Sequence, residues 1–382
     1  MRLENNRAGK LKRMQSDYEC FVPTSLKDIE LNLDADTYSL INKAYLFLGK
    51  LDGIAVTLPD IDLFVSMYVQ KEAVISSQIE GTQASLVDVL QKDRANEKVK
   101  ETQDIVKYIK ATNYAFNRLT DLPLSMRLIR ETHKVLLSNV RGDEKLPGEF
   151  RSSQNWIGHS GSTINTASFI PPAPYEMDIC LSDLEKYMHE EDKIDDLIKI
   201  ALVHYQFETI HPFLDGNGRM GRLLIILYLK EKGLVEYPIL YLSYFFKKNR
   251  RKYYELLNNV RFKGEFEEWI KFFIEGICEI SQDSIESIQK IVHLKRKDID
   301  KIRSIPKNNV SHLLSIYDYL LKHPFVETEE IGDLLNLSKP TINKLLYSLV
   351  EVGILELVEE KQRYRQYAYK KYLDILSEGT TL

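Results

Sequence analysis

The sequence predicts a mainly α-helical protein, with a helical core interrupted by one long polar excursion and a small helical unit ending in a β-hairpin at the C-terminal side. Three observations carry this. Apolar residues recur at i, i+3, i+4 and i+7 along most of the chain, the pattern of helices packed on a core. Arg151 to Tyr175 breaks the pattern with Ser, Gly, Asn and Pro. Beyond Lys307, three short helical segments are followed by two strand-like runs.

Taken in order, Asp62 to Ile79 reads as a helix through Leu63, Phe64, Met67 and Val74, with Gly81 placed for a left-handed stop. The excursion 151–175 ends in Phe169-Ile170-Pro171-Pro172-Ala173-Pro174. Connections of more than about 12–15 residues are usually either functional or disordered; Trp156 and Ile157 favour an ordered one. Asp192 to Ile210 is the clearest amphipathic helix, through Ile194, Leu197, Ile198, Ala201, Leu202 and Tyr205. Leu223 to Leu229 is apolar on every side, which predicts a wholly buried helix stopped at Gly233. From Ile274 to Ile302 isoleucines punctuate a charged helical connector, which Pro306 breaks. Lys307 to Leu376 then reads as a helix to about Lys322, a second at Thr328–Leu335, a third at Lys339–Val352, and strands at Ile354–Val358 and Tyr364–Tyr369. That order is the order of a winged helix-turn-helix. The expected divisions are 1–110, 111–275, 276–306 and 307–382.

Composition narrows the function. With 52 basic against 56 acidic side chains and a net charge of −4, gross positive charge cannot drive nucleic-acid binding. Cys20, Cys180 and Cys278 are odd in number and show no C-x-x-C spacing, so a reducing, cytoplasmic setting is expected. The basic, polar start lacks an apolar h-region and no later stretch reaches about 18 uninterrupted apolar residues, so neither secretion nor a membrane span is expected.

The chemistry concentrates in His211-Pro212-Phe213-Leu214-Asp215-Gly216-Asn217-Gly218-Arg219-Met220-Gly221-Arg222, between two predicted helices. Gly216 and Gly218 let backbone N–H groups approach an anion, and the next helix start adds unpaired amides and a dipole. Arg219 and Arg222 lie three apart on one face and offer forked donors to phosphate oxygens. Asp215 is a hard oxygen ligand suited to Mg²⁺, and His211 is a base that can take a proton near neutrality. Asp-Gly-Asn-Gly is by itself an ordinary turn. Two arginines at the positive end of a helix, however, ask for something negative there. Together these residues describe a phosphoryl or nucleotidyl transfer site.

The stretch resembles the signature of the Fic family, H-x-F-x-D/E-G-N-G-R-x-x-R, at every fixed position: His211, Phe213, Asp215, Gly216, Asn217, Gly218, Arg219 and Arg222. Leu51 to Leu90 resembles the family's N-terminal segment, and Gly148-Glu149-Phe150-Arg151 through Gly158 resembles the entry to its flap. The resemblance implies a Fic helical core and transfer of AMP from ATP to a hydroxyl of a target protein or of the enzyme itself. It gives His211 the role of base and Asp215 that of magnesium ligand. Gly216, Asn217 and Gly218 would hold the inner phosphates, Arg219 and Arg222 the outer ones, with Met220 and Gly221 in the same turn. Phe213 is expected to anchor the loop. Tyr253 and Tyr254 are either adenine-pocket residues or ordinary helix packing.

Ser76-Ser77-Gln78-Ile79-Glu80-Gly81 reads alone as a helix end, and resembles the family's inhibitory motif S/T-x-x-x-E-G/N. The resemblance implies a same-chain brake in which Ser76 and Glu80 sit against Arg222, with the carboxylate gripped in bidentate fashion. It also implies that the flap is a β-hairpin, about Ser160 to Phe169, with Ser160, Gly161, Ser162, Thr163, Ile164, Asn165 and Thr166 docking a target segment as an added strand. A disordered loop is the alternative. Residues 307–375 hold 9 basic and 10 acidic side chains, so DNA binding and protein or dimer contact both stay open for the terminal unit. A nucleotide-sensing regulator acting through that unit is the alternative to an enzyme.

Overall fold

The computed structural model describes residues 3–15, 18–56, 58, 61–83, 85–86, 99–138, 145–159, 161–191, 193–305, 309–360 and 365–378. Pro306, Ser160 and residues 361–364 of the expected wing fall outside them, as do Leu90 and its neighbours.

A short hairpin opens the chain, β1 (Gly9–Arg13) against β2 (Glu19–Pro23), antiparallel in the register Gly9 to Pro23 and Arg13 to Glu19. The periodicity did not foretell it. Its strands are five residues each, and only Cys20, Phe21 and Val22 supply an apolar run. The helical core follows: α1 (Ala35–Ala55), α2 (Ile61–Ile79), α3 (Val99–Arg118), α4 (Met126–Leu137), α5 (Pro174–His189), α6 (Asp196–Ile210), α7 (Asn217–Glu231), α8 (Ser243–Lys248) and α9 (Arg250–Lys263). Asp195 caps α6 by accepting from the N–H groups of Leu197 and Ile198, which satisfies orphan donors at the helix start. The helix therefore begins a turn later than the apolar pattern suggested. Every residue of α6 from Leu197 to Ile210 is buried, and Leu223–Leu229 of α7 is buried as expected. These two helices form the centre, packed on each other and braced by α2, α3, α4 and α5.

The long helix α10 (Phe266–Ser304) runs 39 residues without a break. Its first half buries Trp269, Ile270, Phe273 and Ile277 against the core, and its second half carries the terminal unit. The 275/276 division drawn from the sequence falls inside this one helix. The terminal unit comprises α11 (Val310–Lys322), β3 (Phe325–Glu327), α12 (Thr328–Leu335), α13 (Lys339–Glu351), β4 (Glu356–Glu360), β5 (Arg365–Ala368) and α14 (Lys370–Ser377). Its strands form one antiparallel sheet in the order β3-β5-β4. Neither β3 nor α14 was expected: three residues are too few for a periodicity, and α14 follows the hairpin directly. Tyr369 ties the unit to α10 by donating to the buried Asp298 (2.7 Å) and bonding Tyr317 (2.8 Å).

Among the described residues no helix is long and apolar enough to cross a membrane.

Candidate functional site

The site forms where α6 ends and α7 begins. His211 terminates α6 in a left-handed conformation (φ 51°) while its N–H still bonds the Phe207 carbonyl. A non-glycine residue pays for that conformation, and here the surroundings hold it. The His211 carbonyl accepts from Arg151 Nε (3.0 Å) and Asn155 Nδ2 (3.1 Å), and the Arg151 N–H donates to Pro212. Arg151 is itself buried. Burial, with Arg261 and Arg151 nearby, pushes the His211 pKa down to about 4. The imidazole is therefore neutral at physiological pH, and its Nδ1 has no hydrogen-bond partner among the described residues.

The turn beyond it is pinned from below. Phe213 stacks on His133 with ring centroids 3.6 Å apart. His133 Nδ1 accepts from the Gly148 N–H, so its Nε2 carries the hydrogen and donates to the Asp215 carbonyl, each at 2.9 Å. Burial lowers the His133 pKa to about 4, which keeps that tautomer neutral. The Asn217 side chain bonds the Phe213 backbone twice, accepting from its N–H and donating to its carbonyl, both at 2.8 Å. In this arrangement the Asn217 amide braces the loop. Gly216, at φ 77°, starts α7 and donates to the Asp215 carboxylate.

The first turn of α7 is where the charge meets. A Cβ on Gly218 would lie 2.3 Å from Glu80 Oε1 and 3.0 Å from Arg222 Nη1, so glycine is needed there for a carboxylate to come so close. Glu80 thus stands over the helix N-terminus as an anion would. Arg222 Nη2 donates to Glu80 Oε1 (2.7 Å) and to the Ser76 carbonyl (2.9 Å), and its Nε to Ser76 Oγ (2.8 Å). The pair is therefore held through a single carboxylate oxygen, not by the two-oxygen grip expected, with Ser76 taking Nε and the second hydrogen of Nη2. Gly81 turns away at φ 102°, as expected of the helix stop. Burial pushes the Glu80 pKa up, but the charge of Arg222, its bond to the carboxylate and the charge of Arg219 outweigh it, leaving the pKa below its ordinary value. Arg219 lies buried 3.6 Å from Asp215, with its Nε unpartnered among the described residues.

Behind this turn lie residues that no motif pointed to. His204 donates to the Gly221 carbonyl and accepts from the Tyr253 hydroxyl, both at 2.9 Å. Tyr253 is wholly buried, stacked on Phe246, so here it packs in the core and offers no face to a base; neighbouring Tyr254 is the exposed one. Glu208 approaches Gly221 and is buried, with Oε1 unpartnered among the described residues and its pKa raised by burial to about 7. Helical spacing makes Glu208 look like part of a polar face, and only the packing shows otherwise.

The flap is a correction. A single antiparallel bridge, Ile157 to Phe169, closes its base, and turns at His159–Ser162 and Thr163–Thr166 form the rest. Its Ser168 and Thr166 side chains bond locally, to Ile157 and Thr163, and compete with a strand ladder. Gly161, Ser162, Ile164 and Asn165 lie on this ordered tip, with the Trp156 indole donating to the Ser162 carbonyl (3.0 Å).

The geometry is that of a mainly helical protein with a carboxylate set over the start of one helix, beside a neutral, partly buried histidine. The chain carries a Fic/DOC domain: residues 123–229 match that family's model and residues 38–117 match the model of its N-terminal region. A protein of Aquifex aeolicus named a probable protein adenylyltransferase is 25% identical over 323 residues, covering 82% of this chain and 88% of that one. The protein adenylyltransferase Fic of Culex quinquefasciatus is 31% identical over 172 residues, 44% of this chain and 30% of its own length. The chain thus spans less than a third of that insect relative. A solved Fic family protein from Desulfovibrio desulfuricans shares the fold at a TM-score of 0.58 and 17% identity, over 89% of this chain and 97% of that one. A Fic domain containing signaling protein from Bacteroides thetaiotaomicron does so at 0.51 and 19%, over 66% and 96%.

Proposed function

We propose that this chain transfers AMP from ATP to a hydroxyl of a protein, and that Glu80 restrains it. The observation that carries the reading is the carboxylate of Glu80 lying over Gly218 and on Arg222, beside a neutral His211. A carboxylate in that place marks an anion cradle, and the relatives named adenylyltransferases supply the chemistry. The target hydroxyl gives its proton to His211 as its oxygen bonds the α-phosphorus. The bond to the β-phosphate oxygen breaks and pyrophosphate leaves. Amides at the start of α7, with Arg219 and Arg222, hold the phosphates. Asp215, a partly exposed carboxylate beside the turn, would hold the Mg²⁺ that arrives on the triphosphate. When bound, the ion neutralises phosphate charge. A sensor has no use for a neutral base beside the cradle, which favours the enzyme.

The flap tip, Gly161 to Thr166, is read as the docking place of the target. The terminal unit is read as a winged helix-turn-helix, on its helix order and its three-stranded antiparallel sheet, and it is the place for a homodimer or DNA contact. Three free, buried cysteines suit a reducing compartment. The test is incubation of wild type and Glu80→Gly with α-labelled ATP and Mg²⁺, followed by mass analysis. Addition of AMP to a hydroxyl-bearing residue is expected. No incorporation by either protein, or addition of another group, overturns the reading.

A further inference from the structure

A cavity of about 210 Å³ lies beside α2, the helix that leads into Glu80. It is bounded by α2, by α10, by the segment leading into α8, and by Glu378 just beyond α14. Two of its lining residues carry buried polar atoms that have no partner among the described residues: Glu72 Oε2 and the Tyr241 hydroxyl. Glu72 is 2% exposed. Its other oxygen accepts from both Tyr108 and Ser243, the pattern of a carboxylate held in place with one acceptor left over. Unsatisfied buried acceptors are costly, and in a lined cavity they point to a ligand that donates.

The rest of the cavity sets the ligand's charge. Four carboxylates, Glu72, Asp283, Glu286 and Glu378, line it against two lysines, Lys71 and Lys290. Both lysines are engaged by Glu378, one at its main-chain oxygen and one at its carboxylate. The walls are already used for a cation: the Lys71 ammonium lies 5.9 Å from the ring centroids of both Tyr68 and Tyr244, within reach of the ring quadrupoles. Ile75 and Ile280 complete an apolar wall.

We propose that this cavity binds a small organic cation, an ammonium on a short apolar or aromatic body, which donates to Glu72 and Tyr241. Cavities for drug-sized ligands run to about 300–1,000 Å³, so the occupant is smaller than those. Its position makes it a regulator. Glu72, Ser76 and Glu80 follow one another at four-residue steps down α2, so an occupant that draws on Glu72 acts on the same helix face that supplies Ser76 and Glu80 to Arg222. This second half rests on the reading of Glu80 as a restraint; the binding half does not.

The test uses the full chain and tyramine as probe, with 4-ethylphenol as its uncharged counterpart, by isothermal titration calorimetry in the absence of nucleotide. Saturable tyramine binding is expected, at least tenfold tighter than 4-ethylphenol and at least tenfold weakened in Glu72→Gln. Tyr241→Phe, which keeps the ring, is expected to weaken it too, and thermal melts establish that each variant is folded. No saturable binding to wild type, equal binding of the uncharged compound, or undiminished binding to folded Glu72→Gln or, should that variant not fold, to Tyr241→Phe overturns the site. Coupling is read from AMP incorporation with and without saturating tyramine. A change of threefold or more in wild type that is absent in Glu80→Gly supports it, and binding without any change in rate overturns it.

Discussion

The neutral state of His211 has consequences at the scale of single residues. Because burial and two arginines lower its pKa to about 4, the imidazole is already deprotonated through the physiological range. Transfer should not show a titration near pH 6.5 from this group, and should fall only as pH drops through about 4; a pH–rate profile checks this. His211→Ala should lower transfer by about 10²–10⁴-fold with ATP affinity little changed, because the phosphate donors are untouched; single-turnover rates and equilibrium binding separate the two. Near-normal transfer by that variant would exclude His211 as the base. Glu208 behaves with the opposite sign. Its folded pKa, raised by burial to about 7, exceeds that of an unfolded glutamate, so its favourable state is complete below the unfolded pKa and is lost as pH rises toward 7. Glu208→Gln should therefore melt higher than wild type at pH 8 and lose that advantage at pH 5, as thermal unfolding at the two pH values will show.

At the scale of elements, helix α2 and the first turn of α7 form one device. A charge-assisted bond contributes about 1.5–3 kcal/mol, and the Glu80 side chain is 41% exposed, so screening puts this one at the lower end. Glu80→Gly should raise the initial rate of self-modification by about tenfold, and Arg222→Ala should erase the gain. A double-mutant cycle at saturating ATP reads the coupling directly; a Glu80→Gly rate no higher than wild type removes this residue as the restraint. Gly218→Ala tests the same contact sterically. Its new Cβ meets Glu80 Oε1, so the stability cost should shrink when Glu80 is also changed to Gly, and chemical denaturation of the four proteins measures it. Equal costs in both backgrounds would mean that the carboxylate does not rest on this turn.

The whole molecule is organised by α10, which belongs to the core at one end and to the terminal unit at the other. Buried Asp298 on that helix accepts from Tyr369, and Lys71 of α2 reaches Glu378 beyond α14, so the terminal unit touches the helix that leads into Glu80. The reacting groups all lie before it. A chain ending at Ser304 should keep a cooperative melt and measurable transfer, since Asp298 then meets water instead of an apolar interior. A folded but inactive truncation would make the terminal unit part of the active machinery.

How the parts of this protein are specified divides along the range of the forces involved. Local forces write themselves into adjacent residues, so helices α2, α6 and α7, the glycine stop at Gly81, the glycine turn at Gly216–Gly218 and the order of the terminal helices can be read from spacing alone. The Ser76 and Glu80 motif could be recognised because its residues lie within one helical turn of each other. Other features depend on chain segments far apart in sequence. The β1–β2 hairpin, the stack of His133 on Phe213, the tautomers of His133 and His204, the burial of Tyr253 and the one unpartnered oxygen of Glu72 leave no periodic trace. The flap shows the same limit from the other side: its polar residues suit a strand or a set of turns equally, and local side-chain bonds settle it in favour of turns. The sequence by itself determined which residue types meet at the turn between α6 and α7. Only the tertiary structure decided their protonation and their partners, because burial and long-range contacts set both.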